Sequence, residues 1–197
     1  MMDILHVVVT TFVLFIFGSM PLALWLIKVF LDKDIRAVGD HNPGAFNAVL
    51  IGGKWLGALA IVLEFMKGFI PLLVVVLWLE PEGWLLVLYA LMPVLGHAFS
   101  PFLRFRGGKA IAVTFGIWGA ITYWVVPTIL GLCLALGLII AKSRLLIVVI
   151  SLALMVIPLW IIDAPWSSYV ILVLNILIVG FKHLTAQRHN LSERSIR

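Results

Sequence analysis

Charge interrupts this chain so rarely that hydrocarbon is the solvent its fold must satisfy. The apolar runs between polar breaks form seven segments, at residues 4–30, 55–79, 84–103, 109–124, 126–141, 145–162 and 167–183. Crossing a bilayer takes about 20 apolar residues, and backbone groups in hydrocarbon must be paired within their own segment. Runs of this length and composition are therefore helices. Residues 110–141 form one apolar stretch too long for a comfortable single crossing, and we divide it near Pro127. With 63% hydrophobic and 12% charged residues among 197, the chain lies outside the soluble globular range. The expectation is an all-α polytopic membrane protein, a single domain over 1–197, with seven transmembrane helices.

Lysine and arginine set the orientation. If the N-terminus is outside, the inner segments are 28–54, 104–109, 142–144 and 182–197, and thirteen of the fourteen Lys and Arg residues fall there. Lys67 is the exception. The outer connections carry Asp3, Glu80, Glu82 and Asp163 and no basic residue. The C-terminus is then cytoplasmic. The first 27 residues have neither a basic n-region nor a small-residue cleavage site, so they read as a retained helix. Cys133 sits in an apolar run without a disulfide partner and reads as packing. Topology accounts for the basic residues, so nucleic acid is not an expected partner.

The inner face holds the chemistry. Asn42-Pro43-Gly44 is a turn signature, with proline presetting φ and glycine taking the positive φ of a type II turn. The same loop ends in Gly52-Gly53-Lys54 where the second span begins. The device recurs as Gly107-Gly108-Lys109 before the fourth span. Helix starts present free N–H groups and partial positive charge, and glycine lets an anion come close. Two such starts on one face could grip phosphate, although helix-breaking glycines with snorkelling lysines would look the same. His97 lies near the inner end of the third span, two helical turns (about 10 Å) from Arg104 on the same helix face. An ionisable group at that depth is a functional candidate. Glu64 and Lys67 stand at i, i+3 deep in the second span, where they are expected to pair with each other.

These motifs resemble those of the bacterial integral-membrane glycerol-3-phosphate acyltransferases that use acyl phosphate. The resemblance runs through Gly18-Ser19-Met20-Pro21, Asn42-Pro43-Gly44-Ala45, Asn47, Ile51-Gly52-Gly53-Lys54 and Glu64-Phe65-Met66-Lys67-Gly68. It continues through Gly96-His97-Ala98-Phe99, Pro101-Phe102, Phe105-x-Gly107-Gly108-Lys109 and Lys182-His183. It implies a seven-helix fold in the bacterial inner membrane with its site at the cytoplasmic face. It also implies that the 1-hydroxyl of glycerol 3-phosphate attacks the acyl-phosphate carbonyl, yielding lysophosphatidate and phosphate without metal or cofactor. On this reading His97, Lys109, Asn47 and His183 are catalytic. Gly107, Gly108, Lys54, Asn42, Gly44, Arg104 and Asp40 bind the substrates and their phosphates.

The chain also departs from the family pattern. Asp40 stands where the family has serine, His41 where it has glycine, Phe46 where it has threonine and Leu50 where it has arginine. Ala186 stands in place of the asparagine three residues after His183, with His189-Asn190 a displaced substitute. An added acid and a lost cation should weaken phosphate binding by removing charge-assisted hydrogen bonds. Two other readings follow: a paralogue that acylates another acceptor or binds lipid without turnover, and a small transporter built on the Glu64/Lys67 pair.

Overall fold

Proline and glycine decide where the apolar runs bend. The computed structural model describes residues 3–141 and 143–195, with side chains as far as Gln187. Lys142 and the side chains of His189-Asn190 lie outside that description. Helix α1 (Ile4–Ser19) is capped by Asp3, whose carboxylate accepts from the His6 N–H at 2.8 Å. α2 (Leu22–Leu31) follows at 40°, because Pro21 has no N–H with which to continue the ladder.

α3 (Ala45–Leu79) adds a helical piece, residues 45–52, ahead of the span expected from Trp55. Gly44 caps it in extended conformation, and residues 45–52 are helical rather than loop. Gly53, at φ 69° and ψ −168°, leaves helical geometry, so α3 is two helical pieces that meet there, and the second begins at Lys54 as the sequence predicts. Only glycine takes that conformation without strain, and the helix resumes on either side.

α4 (Gly83–Ala98) ends ahead of Pro101, which disfavours helix at Ser100. A 3₁₀ turn, Pro101–Leu103, and positive φ at Arg104 and Phe105 follow. This overturns the expected two-turn stacking of Arg104 on His97, since no helix joins them. α5 (Ile111–Thr122) and α6 (Val125–Ile140) part at Tyr123-Trp124, both with positive φ, beside the division expected near Pro127. Pro127 occupies the first turn of α6, where a missing N–H costs nothing. α7 (Arg144–Ala153) and α8 (Val156–Ile161) break where Pro158 cannot donate to the Leu154 carbonyl. α9 (Trp166–Ser195) completes the described chain.

The structure is all-helical among the described residues. Four stretches are long and apolar enough to cross a membrane: Ala45–Leu79, Gly83–Leu103, Arg144–Ile161 and Trp166–Gln187. The α1–α2 pair makes a fifth if it is one bent span, while α5 and α6 are shorter. The outer surface is covered with exposed Leu, Ile, Val and Phe, as a lipid-facing surface requires. Inside, Asn175 joins the Trp118 indole N–H (3.3 Å) to the Thr114 hydroxyl (3.2 Å).

Small residues set the crossings. α1 meets α4 where Gly18 abuts Pro93 backbone and Gly96 abuts the Phe15 carbonyl. α3 meets α5 where Gly68 abuts Val113 and Gly116 abuts the Phe65 carbonyl. In lipid, where apolar burial does not drive helices together, such close backbone contact supplies the packing energy. Gly116→Val is expected to lower stability by about 1–3 kcal/mol, read as a fall in unfolding midpoint in detergent. Gly131→Ala, where the added carbon meets only ordinary contacts near 3.6 Å, should be nearly neutral.

Candidate active site

The α1–α2 break leaves backbone polar groups inside the helix bundle, and α3 supplies the pair that satisfies them. The Lys67 ammonium donates to the Met20 carbonyl at 2.6 Å, and the Glu64 carboxylate accepts from the Ala23 N–H at 2.9 Å. Glu64 and Lys67 are paired at 2.6 Å and both are buried. The expected ion pair forms, and its partners explain why it tolerates burial. Ser100 adds to the same junction by donating to the Ser19 carbonyl at 2.6 Å.

Glu64 has another contact that the sequence reading missed. Its carboxylate lies 3.1 Å from Nδ1 of His97 on α4. A carboxylate at Nδ1 holds the proton there and leaves Nε2 as the free ring nitrogen. The residues are 33 positions apart (97 − 64), so no local spacing announces the contact. The Nε2 edge of His97 faces Gly108 so closely that a β-carbon on Gly108 would collide with the ring. Gly107 passes equally close to the His97 and Ala98 carbonyls, and the Gly108 N–H donates to the His97 carbonyl at 3.1 Å. These two glycines let the loop before α5 lie directly on the end of α4.

The first inner loop meets that loop. Asn42 Oδ1 lies between Gly44 and Gly108, 3.1 Å from where a β-carbon would stand on either. Lys109 donates to Asp40 at 2.5 Å, with the side chains only 19% and 14% exposed. Burial works against charge on Asp40, but the Lys109 ammonium outweighs it and holds the carboxyl below the usual carboxylate range. The backbone N–H of Asn42 also points to Asp40, at 3.3 Å. Asn47 is buried in the first turns of α3. It donates to the Asn42 carbonyl at 2.9 Å, and its Oδ1 is pressed against Gly39 with no hydrogen-bond donor among the described residues.

α9 brings His183, buried and close enough to Lys109 and Asp40 to feel both charges. Its Nδ1 lies 2.9 Å from the Val179 carbonyl, which leaves Nε2 unclaimed. Lys182 lies over the Phe99 ring at 5.3 Å. His97, Gly107, Gly108, Lys109, Asp40, Asn42, Gly44, Asn47 and His183 thus gather at one end of the bundle. Lys54 and Arg104 are exposed and make no hydrogen bond or ion pair with this cluster among the described residues. Another cation approaches instead: the Arg144 guanidinium stacks over Phe46 at 4.8 Å. The cluster presents one partly buried lysine, two histidines, two asparagines and glycine-exposed backbone, a set suited to phosphate and hydroxyl groups rather than to an apolar ligand alone.

Comparison with known proteins agrees with this chemistry. The family model described as glycerol-3-phosphate acyltransferase matches residues 8–193. A glycerol-3-phosphate acyltransferase of Thermotoga maritima is 43% identical over 100 residues, 49% of this chain and 49% of its own length. The chain thus spans about half the length of that relative. A Streptococcus gordonii glycerol-3-phosphate acyltransferase is 29% identical over 92% of this chain and 89% of its own. Among solved structures, PlsY, an integral membrane glycerol 3-phosphate acyltransferase in its glycerol 3-phosphate form, superposes with a TM-score of 0.83. It is 25% identical, covering 96% of this chain and 94% of that one.

Proposed function

The chain belongs to the glycerol-3-phosphate acyltransferase family, and from that premise we propose that it transfers an acyl group from acyl phosphate to glycerol 3-phosphate. The observation that carries the reading is the meeting of Lys109, Gly107-Gly108, Asn42 and His97 at one end of the bundle. Both substrates carry phosphate, and a half-buried lysine beside glycine backbone is a phosphate cradle. The apolar helices take the acyl chain.

In this mechanism the Lys109 ammonium holds phosphate, and the glycines of its loop let the phosphate come close to the backbone. Asn42 and Asn47 orient the glycerol moiety, and His183 borders the same space. The 1-hydroxyl oxygen bonds to the acyl carbonyl carbon, the bond from that carbon to the phosphate oxygen breaks, and phosphate departs on Lys109. His97 Nε2, left free because Glu64 holds Nδ1, accepts the hydroxyl proton. Lys54, Arg104 and Arg144 lie on the rim as attraction for anions and not as ligands.

We read α5 and α6 as short crossings, which makes seven, with the N-terminus outside and this site at the cytoplasmic face of a bacterial inner membrane. Charge separation supports the orientation: the loops carrying Glu80, Glu82 and Asp163 share one cavity, whereas Lys109, Arg104 and Arg106 belong to the loop of the phosphate cradle. The contact of Asp40 with Lys109 favours one further reading, acylation of a different phosphorylated acceptor.

Purified protein in detergent, given palmitoyl phosphate and glycerol 3-phosphate, should release lysophosphatidate and phosphate in equal amounts. Phosphate without lysophosphatidate would transfer the assignment to another acceptor, and neither product would end it. Gly108→Ala should cut the rate by about 10²-fold, because displacing a packed catalytic ring by a fraction of an ångström costs that order.

A further inference from the structure

A carboxylate on the phosphate-binding lysine is an unexpected thing to build. Asp40 occupies Lys109 at 2.5 Å, and both side chains are largely withdrawn from water. Any ligand phosphate reaching that ammonium must therefore displace a negative charge already seated there. Asp40 cannot step aside by taking a proton near neutral pH, because its carboxyl lies below the ordinary range near 4. The groups around it (Lys109, the Asn42 N–H, the Asn47 side chain and, at longer range, His183) all favour its ionised form or leave it unchanged.

The loop that seats Asp40 is not fully satisfied. Asn47 Oδ1 is buried beneath Gly39 with no donor among the described residues, so the loop that seats Asp40 leaves a polar atom unsatisfied. Gly39 and His41 hold this loop at φ 63° and 57°. A ligand that moved Asp40 off Lys109 would open the loop at the point where an acceptor waits for a hydroxyl.

Resting on the acyltransferase reading, we propose that Asp40 is a resident anion that makes the Lys109 cradle selective for phosphate monoesters over phosphodiesters. The physics is a difference of charges. A monoester carries close to two negative charges at neutral pH, like a phosphorylated side chain, and outbids a single carboxylate for the ammonium. A phosphodiester carries one and has nothing to gain by the exchange. The setting makes the device useful. The cradle lies at the end of a helix bundle in lipid, and phospholipid headgroups are phosphodiesters that would otherwise fill it.

The test compares wild type, Asp40→Asn and Asp40→Ser, using inorganic phosphate and dimethyl phosphate as probes of binding by thermal shift and as inhibitors of turnover. Asn keeps the shape of the side chain, and Ser removes the bulk as well, so a folding defect in one does not decide the matter. In wild type, phosphate should bind and dimethyl phosphate should not at tenfold higher concentration. In both variants phosphate should bind about tenfold tighter and dimethyl phosphate should become a ligand and inhibitor. Asp40→Asn combined with Lys109→Met should bind neither. An unchanged preference for phosphate over dimethyl phosphate in the two single variants would overturn the proposal, as would weaker phosphate binding in both. Thermal shift needs no turnover. A wild type that binds phosphate selectively but makes no lysophosphatidate would thus refute the acyltransferase reading while leaving the selectivity intact.

Discussion

Lys109→Met should reduce lysophosphatidate formation by about 10²–10³-fold, the usual cost of losing one preorganised charge-stabilising group. The lysine is the cation around which the rest of the cluster is arranged. Its ammonium is held among Asp40, the glycine loop and the end of α9, where little water competes. Removing it also leaves Asp40 half-buried with no counter-charge, which costs stability on its own account. The loss of rate should therefore be measured beside Asp40→Asn/Lys109→Met, which removes both charges. If the double variant folds like wild type and stays inactive, the lysine acts on the reaction. Recovery of most of the activity in the double variant would reduce Lys109 to a structural counter-ion. Lys109→Arg should not restore the rate, because a planar guanidinium cannot reproduce a compact ammonium in a cradle shaped by two glycines.

Glu64→Ala is the largest expected effect on stability, a loss of about 3–5 kcal/mol. The carboxylate serves three partners at once: Lys67, the Ala23 N–H and Nδ1 of His97. Deleting it strands a buried ammonium and a backbone donor at the broken first span, where no water repairs the loss. The unfolding midpoint in detergent should fall sharply. Glu64→Ala/Lys67→Met should fall less than the single variant, because a missing pair costs less than an unpaired ion. Equal midpoints for Glu64→Ala and wild type would show that the junction is hydrated and the pair dispensable. Glu64→Gln separates stability from catalysis. It keeps an acceptor for Ala23 but leaves Lys67 without its counter-charge and weakens the hold on His97, so stability should fall less than in Glu64→Ala while turnover falls as well.

The carboxylate that steadies a bent helix is also the one that orients the histidine. This shared use explains how an ion pair persists at membrane depth, where either charge alone would be prohibitive. It also ties the folding of α1–α2 to the chemistry at the end of α4.

The chain's order of residues is enough to establish the apolar segments, the one-sided distribution of lysine and arginine and the pairing of Glu64 with Lys67, and it singles out the Gly107-Gly108-Lys109 loop as a candidate. Each of these is a short-range property, carried by hydropathy over about 20 residues or by spacing within one helical turn. The same local signals left residues 45–52 as loop, although they form a helical piece that meets the expected span at Gly53. They also placed Arg104 on the face of a helix that Pro101 had already ended. Tertiary structure alone decided that Lys109 meets Asp40 and not Lys54, that Glu64 reaches His97, and that Arg144 comes to rest on Phe46. The partners in these contacts are separated by 69, 33 and 98 positions. Whether they meet depends on how α1 crosses α4 and α3 crosses α5, and those crossings are set by glycines whose close backbone contacts exist only once the helices have packed.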